Sequence, residues 1–379
     1  MNFIIQLVRI AVGGLFIFSG LIKLNDPVGF SIKLTEYFQV FGTEFMIPLA
    51  LFLAVFICIF EVVLGITLLI GLWRELTMWG LLLMIVFFTF LTFYSAYYNK
   101  VTDCGCFGDA IPLTPWESFT KDVILSILIG FLFIFRRRIH LILPKSPAII
   151  ITSLLILAQV VFANHVINHL PLIDFRAYKV GTDIERGMMT AEELGLEGPV
   201  FEIYYVLKNK NTGEEKRMTS TTYIDEKWWE KKEWEMLSDR TENVQVKEGY
   251  EPPIHDFVIY SEDEDITSEI LDAEKVLFII AYQVSGADRE AFDDINELVA
   301  EAEANGIRVL GLSASTDSEI APFRHEVQAA FPFAFMDETT LKTIVRSNPG
   351  IVYLENGVII GKWHYNDTPD LDELHDQHP

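Results

Sequence analysis

The sequence predicts a polytopic α-helical membrane bundle followed by an α/β domain, and three observations carry that prediction. Of 379 residues, 51 % are hydrophobic and the mean hydropathy is positive, which is unusual for a soluble chain. The long apolar runs are confined to the first 170 positions. Charge divides at the same place: residues 1–170 hold ten Lys/Arg against nine Asp/Glu, leaving 19 against 44 for the rest. So acidic a second half excludes nucleic acid and anionic lipid surfaces as its partners, because both would repel it.

Phe3 to Leu24 is a 22-residue run whose only charges are Arg9 and Lys23, long enough for a first, uncleaved span. Ala11, Gly13, Gly14, Ser19 and Gly20 allow close helix approach within it. Phe45–Ile70, carrying Cys58 and Glu61, and the uncharged Leu76–Tyr94 make the second and third spans. A fourth is read at Val123–Phe135, with Trp116 as its interfacial anchor and Arg136, Arg137 and Arg138 as its far flank; Ala148–Ile167 makes a fifth. The basic loop between spans four and five belongs in the cytoplasm. Counting from it puts the Lys100–Trp116 loop and everything after His169 on the outer face, at an inner (cytoplasmic) membrane with a periplasmic carboxy-terminal half.

Beyond residue 170 the pattern is that of a folded soluble chain. Phe201–Leu207 and Arg217–Tyr223 flank a turn-rich stretch and read as a hairpin, and the tryptophan-rich Lys227–Leu237 reads as a half-exposed cover. Val276–Tyr282 is a buried strand and Ala287–Ala304 an amphipathic helix. Arg308–Ser315 is a second strand, Ser318–Ala330 and Thr340–Arg346 are helices, and Gly350–Leu354 pairs with Val358–Trp363 across Asn356-Gly357.

Candidate chemistry centres on Thr102-Asp103-Cys104-Gly105-Cys106-Phe107-Gly108-Asp109. Cys104 and Cys106, one residue apart, can close a disulfide only through a small ring, which suits exchange better than stapling; a local staple is the plain alternative. Asp103 and Asp109 disfavour the thiolate, and Lys100 is the cation near enough in sequence to oppose them. No His or third Cys flanks the pair, so no metal site is expected. Glu61 and Arg9 are ionisable groups inside spans, and such groups are costly enough to count as binding candidates. They lie at similar depth and are expected to form an ion pair that fixes helix packing, with a proton or quinone site as the sharper reading. Lys23, near the outer end, is expected to snorkel. Ser285 and Asp288 read as a helix N-cap, Pro349 as a cis-proline turn, Cys58 as a packing residue, and His165 and His169 as interfacial.

Two resemblances follow from these residues. Ser19-Gly20-Leu21-Ile22-Lys23-Leu24-Asn25-Asp26-Pro27, Glu61-Val62-Val63-Leu64-Gly65 and Asp103-Cys104-Gly105-Cys106-Phe107-Gly108 resemble the DoxX-like membrane family, in the branch that includes the methylamine-utilisation protein MauE. The resemblance covers about residues 1–145. It implies a four-helix bundle linked to quinone-coupled sulfur oxidation or to maturation of a disulfide-rich dehydrogenase subunit. Pro252-Pro253-Ile254-His255-Asp256-Phe257, Val276–Tyr282 and Asn348-Pro349-Gly350 are similar to the thioredoxin-like fold of the TlpA and peroxiredoxin kind, over about residues 250–379. Where that fold carries Cys-x-x-Cys this chain has Ser285-Gly286-Ala287-Asp288, and no cysteine follows Cys106. Such a domain binds without exchanging disulfides itself.

The expected organisation is a DoxX/MauE-like transmembrane domain (1–145), a fifth, tethering helix (146–170), a small β-rich region (171–249) and a thioredoxin-like domain lacking the Cys pair (250–379). The expected function is membrane thiol-disulfide or electron transfer through Cys104 and Cys106. The bilayer surrounds the bundle, a periplasmic thiol-disulfide protein or exported client is the partner, and a quinone or another membrane electron carrier is the cofactor, its identity left open by the residues. A non-enzymatic membrane scaffold or assembly factor is the alternative.

Overall fold

The computed structural model describes residues 2–101 and 107–376. The chain divides into two compact units, Met1–Gly181 with Val258–Pro379, and Thr182–Phe257.

In the first unit, six helices come first: α1 (Asn2–Asn25), α2 (Pro27–Val40), α3 (Ala50–Ile70), α4 (Arg74–Tyr98), α5 (Pro115–Ile134) and α6 (Lys145–Asn168). Among the described residues four segments are long and apolar enough to cross a bilayer: Phe3–Asn25, Glu44–Ile70, Arg74–Tyr98 and Lys145–Asn168. Helix α5 spans about 30 Å at ~1.5 Å per residue. It begins earlier than Val123, on a capping box between Thr114 and Glu117 with Pro115 in the first turn, so its amino-terminal end carries Glu117, Lys121 and Asp122. Outward-facing apolar residues such as Phe3, Leu76 and Leu83, each at least two-thirds exposed in the protein alone, suit a lipid solvent.

Helices α1 and α3 pack closely because glycines face each other. A Cβ on Gly65 would lie 2.7 Å from the Gly13 carbonyl oxygen, and one on Gly20 would lie 3.0 Å from that of Cys58. Gly14 faces open space instead. The core between α1, α3, α4 and α5 is apolar, with Val12, Leu68, Met78, Leu81 and Ile129 fully buried.

Helix α2 is absent from the sequence reading, although its signal is present. Asp26 caps it by accepting from the Gly29 N–H at 2.8 Å, and Pro27 occupies its first turn. Tyr37 of α2 bonds Ser95 of α4 at 2.7 Å, which holds the short helix on the bundle.

The second unit holds α7 (Ile184–Met188), β1 (Val200–Asn209), β2 (Glu215–Thr219), α8 (Ser220–Asp225), β3 (Trp234–Met236) and β4 (Glu242–Lys247). Strands β1 and β2 pair antiparallel. The expected strand to Tyr223 stops at Thr219, whose side chain accepts from the Thr222 N–H and starts α8. The tryptophan-rich cover contains a strand, β3, paired with β1. Leu207, Met218 and Trp228 form the small core.

The rest of the first unit is sheet-rich: β5 (Tyr260–Ser261), β6 (Glu264–Asp265), α9 (Thr267–Leu271), β7 (Lys275–Ile280), α10 (Phe292–Ala304), β8 (Arg308–Ser313), α11 (Asp317–Glu326), β9 (Phe333–Phe335), α12 (Glu338–Ile344), β10 (Gly350–Glu355), β11 (Val358–His364) and α13 (Leu371–Asp376). The sheet order is β11-β10-β7-β8-β9-β5-β6, with β7, β8 and β9 parallel and the β10–β11 hairpin antiparallel. From Val276 to Ile280 strand β7 is an unbroken apolar run because both its faces are covered. Helix α10 buries Phe292, Ile295, Leu298, Val299 and Ala302, one face at helical spacing, against Leu277 and Ile279. Each large side chain so buried stabilises by about 1.5–3 kcal/mol.

Helix α10 starts five residues later than expected, which corrects the reading of Ser285. Ser285 lies in a single 3₁₀ turn, Val284–Gly286, and Asp288 accepts from the Glu290 and Ala291 N–H groups ahead of the helix. The Asn348–Pro349 peptide bond is cis, as the resemblance of Asn348-Pro349-Gly350 implies.

Candidate functional site

Cys104 and Cys106 lie outside the described residues. The residues that follow them are held firmly. Phe107 is buried, its ring 5.7 Å from that of Phe18, and the Lys121 ammonium lies 5.0 Å from its centroid. Two residues on, Asp109 Oδ2 is 3.7 Å from Arg346 Nη2.

Arg346 sits just after α12 and three residues before Pro349. Its Nε donates to Asp26 Oδ2 at 2.9 Å, so one guanidinium meets the acid that ends α1 and the acid that follows the cysteines. Gly29 makes room for it: a Cβ there would come 2.8 Å from Arg346 Nη2. Burial tends to raise the Asp26 carboxyl, but Arg346, Arg176 and the Gly29 N–H outweigh it and hold the group below its ordinary range. Asp109 moves the other way, raised by burial and by Asp26 against the opposing pull of Arg346. Arg346 thus reaches Asp109 from 237 positions away in sequence.

A cavity of about 140 Å³ opens here, lined among others by Lys23, Asp26, Lys33, Asp109, Arg176 and Arg346. Its wall continues through the segment after α6. Asn25 Nδ2 donates to the Ile173 carbonyl at 2.8 Å and Asn25 Oδ1 accepts from the Ile173 N–H at 3.2 Å. Asp174 then takes Arg176 Nε at 2.7 Å and Lys362 Nζ of β11 at 2.6 Å. Burial opposes ionisation of Asp174, yet the two cations bring its carboxyl down to about 2. At the end of α6, His169 Nδ1 lies 2.7 Å from Asp367 Oδ1, and its ring lies 4.5 Å from that of His165, tilted by 36°. His169 thus joins α6 to the segment after β11.

Inside the bundle the expected Arg9–Glu61 pair is not formed. Glu61 pairs with Lys23, Nζ to Oε2 at 2.5 Å, with side chains 5 % and 2 % exposed. Lys23 does not snorkel: its ammonium lies 4.4 Å from the Phe88 centroid and 5.5 Å from that of Phe30. Arg9 is occupied elsewhere, donating to the carbonyls of Leu68 (2.7 Å), Leu69 (2.8 Å) and His140 (3.3 Å). Those of Leu68 and Leu69 lie in the last turn of α3, where helix carbonyls lack intrahelical donors and a cation is favoured. Gly71, at φ 80°, ends that helix in the left-handed region and leaves space beside His140.

A second polar cluster lies close by. Asp122 is buried, pairs with Lys121 at 2.7 Å and accepts from Thr92 Oγ1 at 3.1 Å. Lys23, Glu61, Lys121, Asp122 and Phe107 all line a small cavity of about 20 Å³. The members of this polar cluster come from α1, α3, α4 and α5, so no local pattern in the sequence groups them. Lys23 borders both cavities.

Cys58 is fully buried beside Leu24 and Ala163, a packing residue. At the other candidate positions, Asn348 Nδ2 donates to the Gln283 carbonyl and the Asn348 carbonyl accepts from the Asp288 N–H, both at 3.0 Å. The proline turn and the Ser285–Asp288 turn are therefore stitched together. Among the described residues no group of three or more His, Cys, Asp or Glu could hold a metal ion.

Residues 1–135 match the family described as Methylamine utilisation protein MauE. The chain is also 30 % identical over 131 residues to Protein TlpB of Flavobacterium psychrophilum, a match that covers 33 % of this chain and 35 % of that protein. It thus spans about a third of the length of that curated relative. No solved structure matches. With four helices able to cross a bilayer and a MauE-like amino-terminal part, the chain is a multi-pass membrane protein.

Proposed function

We propose that this is a membrane thiol-disulfide or electron-transfer protein working at the outer face of a cytoplasmic membrane. Cys104 and Cys106 are the exchanging pair, and the carboxy-terminal domain docks a periplasmic thiol-disulfide protein or an exported client undergoing maturation. α5 is taken as a further span, which sets the Cys pair and the sheet-rich domain on the same side. The carrying observation is Arg346, whose contacts to Asp26 and Asp109 tie the end of α1, the cysteine loop and the proline turn to one guanidinium. Cys106 is three residues from Asp109, so their Cα atoms are at most about 11 Å apart. Oxidation of the two thiols to one disulfide releases two electrons and two protons, which a partner disulfide or a quinone takes up.

We read the sheet-rich domain as thioredoxin-like and retired from exchange. Its parallel β7–β8 core, its antiparallel hairpin and the cis-Pro349 facing the Ser285–Asp288 turn support that reading. Pro349 is then the natural place for a bound segment. The description of the matched family makes a component of methylamine utilisation one client class.

The test is differential alkylation of Cys104 and Cys106 in isolated membranes, read by mass spectrometry, before and after adding a reduced dithiol partner or a quinone analogue. Cycling of the pair supports exchange. A pair locked in one state at every potential supports the second reading, a scaffold, which the absence of any cysteine after Cys106 favours. A scaffold tolerates Cys104→Ser and Cys106→Ser but fails when the face around Pro349 is altered.

A further inference from the structure

The cavity of about 140 Å³ at the end of α1 is walled by four separate stretches of the chain: the α1–α2 junction, the residues leading into α5, the segment after α6, and Arg346. In size it approaches the cavity of about 150 Å³ that admits benzene in an unrelated protein, so a ring or a short branched chain fits it.

Its donors are not all used. The Arg346 side chain is 9 % exposed; its Nε goes to Asp26 Oδ2 and its Nη1 to the Lys342 carbonyl. Nη2 has no acceptor within hydrogen-bond distance among the described residues, since Asp109 Oδ2 stands 3.7 Å away. Gly29, also in the lining, keeps the space beside Nη2 open, because a Cβ there would come 2.8 Å from it. Ser118 of α5 lines the same cavity, is 1 % exposed, and has no hydrogen-bond partner for its hydroxyl among the described residues. Buried donors left in this state are costly, and a ligand that accepts from them recovers that cost.

The acids, by contrast, are engaged. Asp26 takes the Gly29 N–H and Arg346 Nε, and Asp174 takes Arg176 and Lys362. Among the side chains here that are at most a fifth exposed, the cations Lys23, Arg176, Arg346 and Lys362 outnumber the acids Asp26, Glu61 and Asp174 by one, and the bond to Asp174 favours the charged form of Lys362. Asp109 lies half exposed at the rim, its carboxyl raised by burial. A cationic ligand is therefore repelled, and a neutral one leaves the surplus charge uncompensated. A sulfate or phosphate dianion brings one charge too many and loses hydration against Ile22, Phe30 and Leu113, which supply apolar lining.

We infer that this cavity binds a small organic monocarboxylate, its carboxylate on Arg346 Nη2 with Ser118 as a further donor, and its hydrocarbon part against Ile22, Phe30 and Leu113. A free acid and the carboxy-terminal residue of a peptide share this chemistry. The site stands independently of the thiol reading, which cysteine alkylation tests separately.

The test is calorimetric titration of the full chain in lipid nanodiscs with benzoate as the probe. Saturable binding is expected, with benzamide and benzylamine each at least about tenfold weaker because they lack the negative charge. Arg346→Gln should abolish it. Ser118→Ala should weaken it about threefold or more while leaving the melting temperature unchanged or higher, since removing an unpaired buried hydroxyl costs no stability; this variant decides alone if Arg346→Gln does not fold. A short peptide ending in phenylalanine that competes at least as well as benzoate identifies a chain terminus as the source, and weaker competition identifies a free acid; both uphold the assignment. No saturable benzoate binding, benzamide binding as tightly as benzoate, sulfate competing equally, retained binding in folded Arg346→Gln, or unchanged affinity in Ser118→Ala overturns it.

Discussion

Replacing Lys23 by methionine should be among the most damaging single changes in the bundle, and the structure sets its size. Lys23 Nζ and Glu61 Oε2 stand 2.5 Å apart with almost no solvent around them. At an effective dielectric constant of about 20, two unit charges at that distance attract by about 7 kcal/mol, most of which offsets their desolvation. Lys23→Met leaves the Glu61 carboxylate buried without its cation, and breaking such a pair costs about 3–5 kcal/mol. Glu61→Leu should cost a similar amount. The double variant, which removes both charges and keeps the volume, should be no less stable than either single one. The assay is a double-mutant cycle by equilibrium unfolding of the full chain in mixed micelles, with a second cycle pairing Arg9→Met with Glu61→Leu. Because Arg9 serves carbonyls at the end of α3, the second cycle should be additive within about 0.5 kcal/mol. Coupling of Glu61 to Arg9, or none to Lys23, would refute the reasoning.

Other expectations follow from the same contacts. Gly65→Val should destabilise the bundle by about 1–3 kcal/mol, since its side chain meets backbone of α1 that cannot give way, whereas Gly14→Val, facing open space, should be neutral in the same unfolding assay. The Asp174 carboxyl is held at about 2 against an ordinary 3.8, so its contribution is complete above pH 4 and is lost as pH falls through 2; Asp174→Asn should flatten that acid limb. Burial lowers the His364 imidazole from 6.5 to about 4, so the unfolded chain binds the proton first and stability declines as pH falls from 6.5 towards 4; His364→Gln should remove that slope in a pH-stepped melt. Arg346→Gln should expose the segment from Phe107 to Ile111 to faster hydrogen exchange, because it releases both Asp26 and Asp109.

Periodicity and turn chemistry carried much of the architecture. The apolar runs of α1, α3, α4 and α6, the strand Val276–Tyr282 and the hairpin about Asn356-Gly357 were legible, because burial on a helix or in a central strand imposes a pattern local in sequence. Helix α2 is equally legible in Asp26-Pro27, a cap followed by a first-turn proline. The late start of α10 was not, since the Ser285–Asp288 turn is shaped by Asn348, sixty residues on.

What the sequence by itself determined was the set of buried charges and the two solvents: Arg9, Lys23 and Glu61 stand inside apolar runs whatever the fold, and hydropathy alone assigns those runs to lipid. What only the tertiary structure decided was the pairing. Counting along the runs puts Arg9 and Glu61 at similar depth, yet the antiparallel register of α1 on α3, with Gly13 against Gly65 and Gly20 against Cys58, sets Arg9 beside the Leu68 and Leu69 carbonyls and leaves Glu61 to Lys23. The same holds for Arg346, which no local pattern links to Asp26 or Asp109; ion pairs act over a few ångströms of space, and that distance is set by packing rather than by spacing along the chain.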